Sequence, residues 1–247
     1  MSSVFIIFFG LAAGVVGTGL GGLIAFAVNR RGVRFMSFIM EFSAGLMLSV
    51  VCFDLLPHAF EHAGLTAVLT GMLAGMLFVF AVSSGHRYEG GAPGTDSERG
   101  LTRIGITMAV SIAVHNLPEG MAIGAGFESS LRLGLSLAAV IFCHNIPEGM
   151  ALVLPFRAAG MKPARGTLIS VLAGLPMVAG AAIGTAAGQI SAWIISLCLA
   201  IAAGAMLYVV MADMIPYSKS IYTGRISSIG NILGVILGII ITVGLGG

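Results

Sequence analysis

The chain contains the run His115-Asn116-Leu117-Pro118-Glu119-Gly120-Met121-Ala122. A second run, His144-Asn145-Ile146-Pro147-Glu148-Gly149-Met150-Ala151, follows 29 residues later, and both lie inside long apolar stretches. Residues four apart share one face of a helix, so His115 projects with Glu119 and His144 with Glu148. An imidazole nitrogen and carboxylate oxygens from each of two helices form a ligand set suited to a divalent first-row ion such as Zn²⁺. The set is less suited to Mg²⁺ or Ca²⁺, which prefer all-oxygen shells. Two carboxylates also cancel one M²⁺, so a loaded site is close to neutral and can exist in a low-dielectric interior. The structural alternative for a His or Glu in such a place is an ion pair holding helices together.

The residues around these ligands sharpen the pattern. Pro118 and Pro147 each precede their Glu and free the carbonyls of Val114 and Cys143. Asn116 and Asn145 lie three residues before their Glu, so each carboxylate sits between a His face and an Asn face. Two readings stand for each Asn, a ligand to an ion bridged by Glu or an interhelical hydrogen-bond donor. Gly120 and Gly149 allow close helix approach, local bending or ordinary small-residue packing.

The elements carrying these residues must be membrane helices. A chain of 247 residues with 57% hydrophobic and 9% charged residues falls far short of the quarter or so charged residues of a soluble domain. Mean hydropathy is +1.05. Apolar runs broken at Gly, Pro and charge predict an all-α membrane protein of eight spans, near 4–28, 35–57, 64–83, 103–126, 131–155, 165–187, 191–213 and 227–246. The first run reads as a retained helix rather than a signal peptide. One polar loop, 84–102, interrupts a single transmembrane domain. Cys52, Cys143 and Cys198 show no CxxC spacing and suggest neither a disulfide framework nor a thiolate zinc site.

Eleven of the twelve Lys and Arg residues fall in the first, third, fifth and seventh loops, leaving Arg132 alone in the fourth. The positive-inside rule makes that side cytoplasmic and places both termini extracytoplasmic, in the plasma (inner) membrane. Trp193 fits an interfacial anchor on the outer side. Topology accounts for the basic residues, so no nucleic-acid partner is implied. A second repeat, AGxMLxVVxxDxxP, spans Ala44 to Pro57 and recurs at an offset of 159 from Ala203 to Pro216. The second span runs outward and the seventh inward, so the matching segments oppose each other as inverted repeats. Such chains hold substrate at the repeat interface near the midplane, as secondary transporters do.

The two HNxPEG motifs, the span count and the repeat layout together resemble the ZIP (Zrt-, Irt-like protein) family of divalent-metal transporters, in particular its bacterial ZupT/GufA-like group. The resemblance covers essentially the whole chain. It implies that His115, Asn116, Glu119, His144, Asn145 and Glu148 hold the transported metal. It also implies a 3+2+3 helix arrangement, inward movement of Zn²⁺ or a related ion, and elevator-like alternating access within a homodimer. One departure stands out. Many relatives place a Glu before the proline of the sixth span as part of a second metal position, where this chain has Leu175-Pro176 and no acid from Thr167 to Gly188. One principal site is therefore expected. The loop, His-rich in many relatives, offers only His86.

Weaker candidates flank this site. Asp54 and His58, with Glu61 and His62, mark the outer end of the second span as an entrance for cations, or as solvated loop-end residues. Asp213, the repeat counterpart of Asp54, is an exit candidate or an ordinary helix-end polar residue. Glu41 reads as an ion-paired or snorkelling structural residue near Arg34. Met206, Met211 and Met214 read as packing residues, and the Gly-rich Gly17 to Gly22 as close helix packing rather than a nucleotide loop.

The leading expectation is a secondary transporter importing Zn²⁺, with Fe²⁺, Mn²⁺, Co²⁺ and Cd²⁺ as competitors and no cofactor. The alternatives are an intramembrane metalloenzyme using the same ligands, against which stands the lack of an HExxH, and a metal-selective channel.

Overall fold

Long apolar runs in this chain begin at helix-starting residues. Ser130 accepts the N–H of Leu133 at 3.1 Å, Ser191 accepts that of Ile194 at 3.3 Å, and Pro163 opens a helix in the first turn, where its missing N–H costs nothing. The computed structural model describes residues 2–27, 33–83 and 98–246. These form eight long helices: α1 Ser3–Ala27, α2 Arg34–His62, α3 Leu65–Ser83, α4 Glu98–Ser129, α5 Leu131–Ala158, α6 Pro163–Gly188, α7 Ala192–Ile221 and α8 Arg225–Gly246. Arg30, Arg31, His86 and Arg87 lie outside the described residues, as does the loop of 84–102 up to residue 97. Residues 98–102 of that expected loop are the first turn of α4.

Seven of the helices are long and apolar enough to cross a membrane. The one that falls short is α4, whose stretch carries the first His-Asn-Pro-Glu motif and several further polar residues. The protein is thus a multi-pass, all-helical membrane protein whose least apolar span holds one of the motifs. Large apolar side chains cover the outer surfaces of α3 (Leu69, Leu73, Leu77) and α8 (Ile229, Ile232, Ile236, Ile240) at helical spacing, as lipid-facing surfaces require.

Glycines set the closest packing. A side chain on Gly120 of α4 would overlap the Met177 carbonyl of α6 and one on Gly124 the Ala181 carbonyl, while one on Gly180 would overlap the Leu117 carbonyl and one on Gly184 that of Met121, so α4 and α6 run parallel in contact. On the other side, Gly149 of α5 meets the Thr18 carbonyl of α1, and Gly21 meets that of Ile146. Met177 follows Thr18 by 159 residues, Gly180 follows Gly21 by 159, and the motif partners differ by 29. Contacts of α1 with α6 run antiparallel, from Gly10 against Ala181 to Gly22 against Ser170. Helices α1, α4, α5 and α6 form one packed group. The other comprises α2, α3, α7 and α8, with α2 against α8 and α3 against α7.

Two π-helical segments interrupt the second group, Val50–Leu55 in α2 and Val209–Met214 in α7, again 159 residues apart. Each leads into a short α-helical end, Leu56–His62 or Ile215–Ile221, with proline in its first turn. Pro57 and Pro216 lack an N–H and crowd the carbonyl four residues back, and a local widening of the helix relieves both conditions. As a result α2 and α7 continue to residues 62 and 221, well past the expected ends at 57 and 213. Asp54 and Asp213 therefore lie within helices rather than at helix ends.

Candidate metal-translocation site

Antiparallel packing of α4 on α5 brings the two motifs face to face. His115 Nε2 lies 2.8 Å from Glu148 Oε1, and His144 Nε2 lies 3.7 Å from Glu119 Oε1, so each imidazole meets the carboxylate of the other motif. All four side chains are buried, as are Asn116 and Asn145. Both Asn side chains use their amide N–H groups outward. Asn116 donates to the Ala173 carbonyl of α6 at 2.7 Å, and Asn145 to the Ala13 carbonyl of α1 at 2.8 Å. A carbonyl accepts only from the NH₂ side of a carboxamide, so both Oδ1 atoms are turned away from these contacts. The two readings of each Asn are compatible, because the amide nitrogen ties helices while the oxygen stays open.

The site is rich in unpaired lone-pair atoms. Among the described residues, the buried side-chain atoms without a hydrogen bond include His115 Nδ1, His144 Nδ1 and Nε2, both Glu119 oxygens, Glu148 Oε2 and both Asn Oδ1 atoms. Native interiors pair nearly all such groups, so a concentration of unpaired metal-ligand atoms needs a reason. No group of three or more His, Cys, Asp or Glu side chains among the described residues is arranged to hold an ion as it stands. Imidazole and carboxylate are instead turned toward each other, most closely in the His115–Glu148 pair.

A cavity of about 480 Å³ reaches this pair. It is bounded by His115, Pro147 and Glu148 at its inner end, passes Ser111 and Asp213, and continues to Tyr217 and Ser220 near the end of α7. That end of the protein carries Arg34, Arg103, Arg157, Lys162, Lys219 and Arg225 at the helix termini. Asp213 accepts a hydrogen bond from Ser111 of α4 at 3.1 Å. Asp54 stands in a different setting. It is 2% exposed and accepts from Thr242 of α8 at 2.8 Å and from Ser136 of α5 at 3.3 and 3.4 Å. His58 donates a ring N–H to the Asp54 carbonyl at 2.7 Å and approaches Glu61 at 3.8 Å near the surface. Solvated loop-end polarity thus fails for Asp54.

One further side chain differs from expectation. Glu41 pairs with Lys219 at 3.3 Å and Asn231 at 3.1 Å instead of Arg34, which lies 5.7 Å over the Tyr222 ring. Leu175 is 46% exposed, whereas Met177, two residues on, is fully buried, and its sulfur accepts from Asn145 at 3.8 Å. Sequence reasoning missed Met177 and Ser43, whose hydroxyl donates to the His144 carbonyl at 3.2 Å. The only signal was their place beside a motif in a span with few polar residues.

The comparisons with known proteins agree with this chemistry. The ZIP Zinc transporter family model matches residues 83–246. The chain is 35% identical over 237 residues to the zinc transporter ZupT of Chlorobium luteolum, covering 88% of this chain and 89% of that protein. It is 35% identical over 244 residues to ZupT of Chlorobium limicola, covering 91% of each. Zinc transporter ZIPB of Bordetella bronchiseptica is 31% identical over 221 residues, 84% of this chain and 71% of that protein. The chain belongs to the ZIP zinc transporter family.

Proposed function

We propose that this protein carries Zn²⁺ into the cytoplasm by alternating access, holding the ion between α4 and α5 with His115, Asn116, Glu119, His144, Asn145 and Glu148. The observation that carries this reading is the set of buried, unpaired nitrogen and oxygen atoms that these six side chains present to one another. Binding replaces the crossed His–Glu contacts with shared bonds to the metal. Fe²⁺, Mn²⁺, Co²⁺ and Cd²⁺ accept similar ligands and compete. A zinc transporter rather than an enzyme is also what the relatives' names describe.

Several observations support two inverted halves, with α1–α3 related to α6–α8 and α4 to α5 in a 3+2+3 order. The π segments of α2 and α7, the glycine-to-carbonyl contacts and the aspartates Asp54 and Asp213 recur at the offset of 159, and α1 crosses α6 antiparallel. The basic helix ends favour a cytoplasmic position for the cavity mouth, with both termini extracytoplasmic. In this setting the cavity leads from the site past Asp213 to the cytoplasm, while Asp54 lies buried on the outer side. A path open on one side only favours a carrier over a channel. The family resemblance supports an elevator-like movement and a homodimer.

Zn²⁺ flux into proteoliposomes tests the assignment directly. The parent protein is expected to load zinc in a saturable manner, and Glu119→Ala and His115→Ala proteins to lose uptake. Unchanged transport by both variants removes the site from the path.

A further inference from the structure

Three serines form hydrogen bonds between the two helix groups. Ser136 of α5 donates to Asp54 of α2, Ser111 of α4 donates to Asp213 of α7, and Ser43 of α2 donates to the His144 carbonyl of α5. The first two contacts join the aspartates of the two π segments, which match at the offset of 159. They do not match in register. Under the offset of 29 that relates α4 to α5, Ser136 corresponds to Thr107, and Ser111 corresponds to Val140. Asp54 therefore pairs toward the outer end of α5. Asp213 pairs one helical turn deeper along α4, with Thr107 lying a turn nearer the cytoplasm in the same cavity wall.

We infer that Asp54 and Asp213 are alternating latches. The two ends carry opposite members of one pair of registers, and a single slide interchanges them. When α1, α4, α5 and α6 move outward past α2 and α7 by four residues, about 6 Å at the helical rise, Asp213 passes from Ser111 to Thr107. The same slide moves Ser136 away from Asp54 and brings the apolar Val140 opposite it. Asp54 then keeps Thr242, which lies in its own helix group, and presents a freed carboxylate oxygen to an ion entering from outside. Ser111, Thr107 and Ser136 are thus positioning residues that select which side of the membrane sees the metal site. This inference rests on the inverted-repeat carrier reading proposed above.

The test uses the full-length chain in right-side-out membrane vesicles, with Cys52, Cys143 and Cys198 replaced by Ala and Val140→Cys as reporter. Val140 is fully buried here, while its counterpart Ser111 is part-exposed in the open cavity. Its labelling by a membrane-impermeant maleimide from outside therefore reports the outward-open state. Ser111→Ala and Ser136→Ala remove contacts of the inward state and are expected to raise the labelling rate by about tenfold, the scale of one hydrogen bond to a charged group. Thr107→Val removes the outward-state partner of Asp213 and is expected to lower it by a similar factor. Opposite signs from Ser111 and Thr107, one turn apart on one helix face, are not produced by general loosening of the fold. Labelling that shifts in one direction for both, or in neither, overturns the latch. Zinc uptake by the parent is measured in the same vesicles. Absent uptake with the labelling pattern intact removes the zinc assignment and leaves the latch standing.

Discussion

Glu119 and Glu148 occupy the same place in two copies of one motif, yet their surroundings differ. Glu148 accepts from His115 at 2.8 Å, whereas both Glu119 oxygens are buried without a hydrogen bond and the nearest imidazole nitrogen stands at 3.7 Å. Loss of the Glu148 charge forfeits a charge-assisted bond, while loss of the Glu119 charge removes a carboxylate that burial has stripped of water. Glu148→Gln is therefore expected to lower stability by roughly 1.5–3 kcal/mol, the scale of a hydrogen bond to a charged group. Glu119→Gln is expected to unfold at the same temperature as the parent or above it. Thermal unfolding of the metal-free proteins in detergent separates the two, and equal losses would show the pairs to be equivalent. Both variants should lose zinc uptake by on the order of tenfold or more, as for a lost metal contact. The candidate ligands were legible in the sequence, because His and Glu four apart in an apolar helix have few other uses, and the structure buries all of them. Their crossed pairing was not legible. Helical spacing places His115 with Glu119 but says nothing of which carboxylate faces it across the interface.

Helices approach through glycine at both motifs, and the consequences belong to whole elements. Gly149 faces the Thr18 backbone of α1 and Gly120 the Met177 backbone of α6, where an added methyl group can only push the helices apart. Gly149→Ala or Gly120→Ala is expected to destabilise the protein by about 1–3 kcal/mol, the usual cost of overpacking, and to cut uptake by displacing α5 or α4. Gly64, in the turn before α3, has nothing within 4 Å of an added methyl group, and Gly64→Ala should leave both properties unchanged. Folded yield and uptake measured side by side check this, and a silent Gly149→Ala would show that the close approach is dispensable. The eight apolar runs predicted the elements because spans of about 20 apolar residues have little alternative in a bilayer. The ends of α2 and α7 escaped that reasoning. Pro57 and Pro216 look like helix stops in sequence, whereas a π segment ahead of each lets the helix absorb the proline and continue, which draws Asp54 and Asp213 inside.

At the scale of the whole molecule, charge placement and cavity placement are independent observations that point the same way. Basic residues cluster at the helix ends where the cavity opens. The cavity itself had no sequence signature, since it depends on how far the two helix groups are displaced and not on which residues line them. In the absence of metal, the protein is expected to present its site to the cytoplasm. Ala212, part-exposed in the cavity wall beside Asp213, serves as reporter when replaced by Cys in a chain lacking Cys52, Cys143 and Cys198. An impermeant maleimide should label Ala212→Cys in inside-out vesicles and not in right-side-out ones. A Cys at Arg132, the basic residue of the opposite face, should give the reverse. Zn²⁺ should slow labelling of Ala212→Cys, because the proposed path of the ion runs through the cavity that ends on His115 and Glu148. Equal labelling of Ala212→Cys from both sides would mean a continuous pore and a channel in place of a carrier. Labelling indifferent to Zn²⁺ would separate the cavity from the metal path.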